Sequence, residues 1–138
     1  MKKLALLPTQ PNSDIALLTL RVVFGFCMAY LHGYSKLERL LGDEPIEFMN
    51  FMGLGDTISL ALVVGAEFFC SILLIIGLFT RWATLPLIFT MLVVVFYAHL
   101  NDPFSDKEHG LLFLAGYVVL FLLGPGRYSL DGWWSKKA

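Results

Sequence analysis

Apolar residues gather into four long stretches, separated by short polar segments. They cover about 15–31, 58–79, 83–100 and 109–123. Each approaches the ~20 residues that a helix needs to cross a bilayer. None shows the period-two alternation of a strand, and in lipid only helices or closed barrels satisfy every backbone group. The pattern predicts an all-α fold: a four-transmembrane-helix up-down bundle, forming one membrane-embedded domain over residues 1–138. Helix punctuation agrees. Asn12-Ser13-Asp14 and Asp56-Thr57 offer N-caps before the first two stretches. Ser105-Asp106-Lys107-Glu108 has capping-box spacing before the fourth, and Gly124-Pro125-Gly126 stops it. Pro86 lies near the start of the third, where a missing N–H costs little.

The first connecting segment mixes Ile46, Phe48, Met49, Phe51, Met52 and Leu54 with acids. It predicts a short amphipathic segment lying on the outer membrane surface. Met1-Lys2-Lys3 ahead of an apolar run invites a signal-peptide reading. Pro8 and Pro11 break that run, and no small-x-small cleavage site follows, so the first span is read as retained.

Composition strengthens the membrane reading. Of 138 residues, 57% are hydrophobic and 15% charged, with a net charge of −1. Soluble domains carry about 45–50% apolar and about 25% charged residues, and a small core cannot hide such an excess. A soluble enzyme, a disordered chain and a basic nucleic-acid binder all fit poorly. Charge placement then suggests orientation. With four crossings, Lys2, Lys3, Arg81, Arg127, Lys136 and Lys137 share one side. The other side holds Lys36, Arg39 and Lys107 among most of the acids. The positive-inside rule places both termini in the cytoplasm. Trp133 and Trp134 before two lysines read as an interfacial anchor on that side.

Ionisable groups inside apolar spans are the informative ones, since each is costly unless paired or hydrated. Arg21 lies roughly 12 Å into the first helix and Glu67 near the centre of the second. The two are expected to pair inside the bundle. That pair reads equally well as a structural register lock or as a proton-handling, ligand-binding acid with its counter-ion. Arg21, Gly25, Met28, His32 and Lys36 fall on one helix face, a polar stripe that suggests an interior cavity. At the outer end, His32 and Lys36 close the first helix, His99 closes the third, and Glu108 and His109 open the fourth. Such a group could hold an anionic or quinone-like oxygen and relay protons. It could equally be a wet interfacial layer, with Glu108 a capping acid and Lys36 snorkelling. Cys27 and Cys70 have no metal-like spacing, and three scattered histidines argue for no metal site.

The ordered set of motifs resembles the DoxX/DoxD family of small four-helix membrane proteins. The matching pieces are Leu20-Arg21 with Gly25, His32-Gly33-x-x-Lys36-Leu37, Gly65-Ala66-Glu67 and Gly77-Leu78-Phe79-Thr80-Arg81. Met91, His99 and Glu108 follow, and the tail from Gly124 to Asp131 resembles the family's Gly-x-Gly-x-x-Ser-Leu-Asp ending. The resemblance implies a place in membrane redox or stress metabolism, since relatives include a subunit of thiosulfate:quinone oxidoreductase. The site candidates are Arg21, His32, Lys36, Glu67, His99 and Glu108. The expected function is a quinone-interacting component of the bacterial cytoplasmic membrane, with a bound quinone or lipid as the candidate ligand. The alternative is a non-catalytic anchor or assembly partner for a redox enzyme. A small-molecule or ion carrier is a third reading, and a homo-oligomer stays open.

Overall fold

Every long helix lays an apolar surface toward its neighbours and a second one outward, which decides the environment of this chain. The computed structural model describes residues 12–137. Among these, all regular structure is helical. The amino-terminal segment weighed above as a signal peptide lies outside the described residues.

Helix α1 runs unbroken over Ser13–Leu41, ten residues past the apolar stretch that starts it. Helix α2 covers Asp56–Ile76 and α3 covers Thr80–Ala98. These three are long and apolar enough to cross a membrane. Helix α4, Phe104–Leu123, has 20 residues and packs on α3 and α1. Its first turns carry Asp106, Lys107 and Glu108, which keeps it from matching the other three in apolar character. A short α5, Leu130–Ser135, completes the chain.

The central core is small: Leu17, Met28, Leu74, Leu87, Met91, Tyr117 and Leu120. Phe24 packs edge-on against Phe113 and Tyr117, with ring centroids 5.3 and 6.2 Å apart. Gly116 makes room for the Phe24 ring, which a Cβ there would strike. Only 28–39% of the three spans is buried within the protein, and Phe26, Leu62, Phe69, Trp82, Phe89, Phe96 and Leu122 stay exposed. So much outward apolar surface is stable against lipid and not against water.

Residues 42–55 join α1 to α2 and carry the segment expected to be amphipathic. It forms only one 3₁₀ turn, Phe51–Gly53, and no amphipathic helix. Phe48, Met49, Phe51 and Leu54 line an apolar cavity described below, while Met52 is exposed. The amphipathic helix is instead the end of α1, Tyr34–Leu41. The expected caps also differ. Asn12 makes no side-chain cap bond, and Asp14 Oδ1 accepts from the Arg127 N–H at 2.8 Å. Helix α4 begins after Pro103, so the Ser105–Glu108 capping box does not form. Pro86, on α3, lies nearly two turns in and opens onto the same cavity.

Helix α2 ends where Gly77 adopts a left-handed conformation (φ 72°) and the Leu78 N–H donates to Leu73 O at 2.9 Å. The next residue, Phe79, is also left-handed (φ 48°), an uncommon state for a bulky residue. Its amide and that of Thr80 both donate to the Asp131 carboxylate, at 2.9 and 2.8 Å. Asp131, on α5, therefore caps α3 from the far end of the chain.

Candidate functional site

Two glycines set the register between α1 and α2. A Cβ on Gly25 would lie 2.9 Å from Ser71 O, and one on Gly33 would lie 2.7 Å from Glu67 O and 2.8 Å from Phe68 Cα. The antiparallel helices thus approach backbone to backbone, with residue 33 level with residue 67. By the same register Arg21 falls level with Gly77, ten residues and well over two turns away from Glu67.

The expected Arg21–Glu67 pair is therefore absent. Arg21 is fully buried, and its guanidinium donates to Leu74 O and Ile75 O, each at 3.2 Å, and to Tyr128 O. It satisfies carbonyls left open where α2 ends, and ties the tail to them. Glu67 is buried too, and pairs with Lys36, with Nζ and Oε2 2.5 Å apart. The flexible Lys36 stem reaches back one turn along α1, and the side chain stays partly exposed.

Around that pair lies a cavity of about 560 Å³, lined largely by apolar side chains. His32, Lys36, Glu67 and His99 from the expected set all border it, with Asp106 and His109 added. The His32 and His109 rings meet edge to face at 6.4 Å, and Phe113 flanks His32 at 6.1 Å. His99 Nδ1 lies 2.7 Å from Asp102 Oδ2. Two expected residues are elsewhere: Arg21 sits at the opposite end, and Glu108 does not border the cavity. On α4 the residues facing it are Asp106, His109, Gly110 and Phe113, spaced i, i+3, i+4 and i+7. Glu108 belongs to another face.

Three spans change pitch beside this cavity. Met28–Gly33, Gly65–Cys70 and Val94–Ala98 are π-helical, each inserting extra turn width into an otherwise α-helical span. Such bulges recur at functional sites because they re-aim side chains without ending the helix. His32 and Glu67 lie within two of them, and His99 directly follows the third.

Residues 42–55 cover one end of the cavity. Phe48, Met49, Phe51 and Leu54 line the cavity. The Phe51 ring packs edge-on against Phe89 and Tyr97, at 6.1 and 5.6 Å. Backbone amides anchor the segment, with Phe51 N–H donating to Ser59 Oγ at 3.1 Å and Gly55 N–H to Asn50 Oδ1 at 2.8 Å. Arg39 also donates to Glu47 O. Among the described residues, no group of three His, Cys, Asp or Glu side chains is arranged to hold a metal ion.

Residues 16–100 match the DoxX family. The chain belongs to the DoxX family. It is also 27% identical over 130 residues to the inner membrane protein YqjF of Escherichia coli K12, covering 90% of this chain and 95% of that protein. No solved structure matches it significantly. The DoxX match takes in the α1–α2 glycine register, the Lys36–Glu67 pair and His99. It stops short of α4 and of the Gly124–Asp131 tail. For the tail, the structure supplies a local reason: Ser129 caps α5 by accepting from Gly132 N–H at 2.9 Å, while Asp131 caps α3.

The sequence pattern marks His109 only as a residue opening the fourth helix and Asp106 only as part of a capping box, not as residues of the site. The available signal was their common face with Phe113, once α4 is assigned as helix. The π segments left no mark in the hydrophobic pattern.

Proposed function

We propose that this DoxX protein crosses the bacterial inner membrane four times, with both termini cytoplasmic, and binds a quinone headgroup in the α1–α4 cavity. The observation that carries the reading is a cavity of about 560 Å³ whose apolar walls enclose the Lys36–Glu67 pair and two facing histidines. Ligand pockets commonly measure ~300–1,000 Å³ and combine apolar walls with a few convergent polar groups. The residues present fit such a headgroup, which needs donors for its two oxygens and an apolar route for its tail. Lys36 Nζ and the ring nitrogens of His32 and His109 are the donors. Glu67 holds Lys36 in place, and the histidines with Asp106 connect the cavity to the outer surface for proton exchange. A bound quinone would supply a carrier of two electrons and two protons. The inner-membrane location follows from the similarity to YqjF and the span pattern.

The test compares quinone-analogue binding by wild type with His32→Ala and Glu67→Gln, each checked for native folding. At least a tenfold loss of affinity in both is expected, about 1.4 kcal/mol. Unchanged affinity in both would remove the quinone site and leave the anchor for a partner enzyme as the better reading.

A further inference from the structure

A second concavity of about 570 Å³ lies at the opposite end of the molecule, between the start of α3 and the tail. Its charged lining is Arg81, Arg127 and Lys136 against Asp14 and Asp131. The carboxylates are already engaged by backbone. Asp131 accepts from Phe79 and Thr80 N–H through both oxygens, and Asp14 accepts from Arg127 N–H. The cations are not matched in this way. Among the described residues, none of the three forms an ion pair, and Arg81 makes one long bond, to Leu122 O at 3.4 Å. Residues 1–11 contain Lys2 and Lys3 and no acid, so the sequence offers no further carboxylate there.

The surroundings of this concavity are apolar. Trp82, on its rim, is 74% exposed, and the neighbouring Leu122 and Leu123 are 66% and 63% exposed. Trp133 and Trp134 are half exposed on α5. Tryptophans at such a boundary sit at headgroup level, with leucines beyond them in the acyl region.

We propose that this concavity binds the phosphodiester headgroup of an anionic phospholipid. Guanidinium groups suit phosphate oxygens because their forked donors match them in geometry and charge. The exposed leucines and Trp82 give the acyl chains an adjoining surface, which a free phosphate would not use. Choline or ethanolamine headgroups are disfavoured, since their ammonium would meet three cations against two carboxylates that already accept from backbone N–H groups. The proposal is independent of the quinone reading, because the two cavities share no lining residue.

The experiment measures thermal unfolding of the purified full chain in detergent with phosphatidylglycerol, phosphatidylcholine or inorganic phosphate added. Wild type is compared with Arg127→Gln/Lys136→Gln and with the charge-keeping Arg127→Lys/Lys136→Arg. Phosphatidylglycerol is expected to raise Tm by roughly 4 °C more than phosphatidylcholine does. That advantage should fall by about half or more in the glutamine variant, persist in the charge-keeping one, and weaken with salt. Equal shifts from the two lipids would overturn the proposal, as would an undiminished phosphatidylglycerol effect in the glutamine variant. A shift from inorganic phosphate as large as that from phosphatidylglycerol would also overturn it, in favour of a soluble-anion site. The His32→Ala variant should keep the full lipid response whatever its quinone affinity.

Discussion

Arg21 and Glu67 are both buried charges in apolar spans, yet the chain resolves them by different means. Arg21 is held by backbone carbonyls where a helix ends, whereas Glu67 is held by a lysine that keeps one end near water. Removing Arg21 takes a donor from the carbonyls of Ile75 and Tyr128, leaves Leu74 O with only the Gly77 N–H, and opens space. Arg21→Ala is therefore expected to cost about 3 kcal/mol or more. Glu67→Gln keeps the shape and an oxygen for Lys36 and should cost about 1 kcal/mol. Chemical denaturation in one detergent should rank them in that order, and a reversed order would refute this division of roles. The glycines provide a sharper contrast. Gly33 touches backbone atoms of Glu67 and Phe68, which cannot swing aside, so Gly33→Ala should destabilise by about 1–3 kcal/mol. Gly65 has open space around its missing Cβ and lies in a helix of ordinary φ. Gly65→Ala should be neutral or stabilising by up to about 1 kcal/mol. Melting curves of the two variants should shift in opposite directions or differ by several degrees.

At the scale of elements, helix existence was legible because long apolar runs leave the backbone no other way to satisfy itself in lipid. Helix ends were less legible. The residues near 12–14 and 105–108 do not cap locally: Asp14 serves the tail, α4 starts earlier after Pro103, and α3 is capped by distant Asp131. A cap supplied from some 50 positions away leaves no local pattern. The Arg21–Glu67 expectation failed for a related reason. Depth along each helix does not set how two helices align, and the Gly25 and Gly33 contacts fix a register that brings Arg21 to Gly77. Of the polar stripe Arg21, Gly25, Met28, His32 and Lys36, the last three border the cavity and the first two do not. If Asp131 fastens the α2–α3 turn, Asp131→Ala should cost about 1–2 kcal/mol, the usual worth of a lost N-cap. Hydrogen exchange should then rise first at Phe79 and Thr80, whose amides lose their acceptor. Protection unchanged at those two amides would mean that the left-handed Phe79 is held by packing alone.

For the whole molecule, the question is whether α4 crosses the membrane with the other three. Its first turns hold Asp106, Lys107 and Glu108, which alone would keep it near a surface. Three features favour crossing. It is 20 residues long, about 30 Å, enough for a hydrocarbon core. Its Leu112, Val119, Leu122 and Leu123 are exposed, a surface that needs lipid. Its charged start lies at the same end as Lys36 and His99, beside the outer mouth of the cavity. Four crossings place Arg81, Arg127, Lys136 and Lys137 on one side, along with Lys2 and Lys3, and leave Lys36, Arg39 and Lys107 on the other among the acids. That distribution obeys the positive-inside rule. Three crossings would return the tail to the side of Asp43 and mix the two groups. Single cysteines placed by Asp43→Cys and Lys137→Cys in a background lacking Cys27 and Cys70 separate the cases. A membrane-impermeant maleimide added to intact cells should label position 43 and spare position 137, and the pattern should invert in vesicles turned inside out. Labelling of both positions from the outside would mean that α4 lies along the membrane, and the cavity would then lose the wall formed by His109, Gly110 and Phe113.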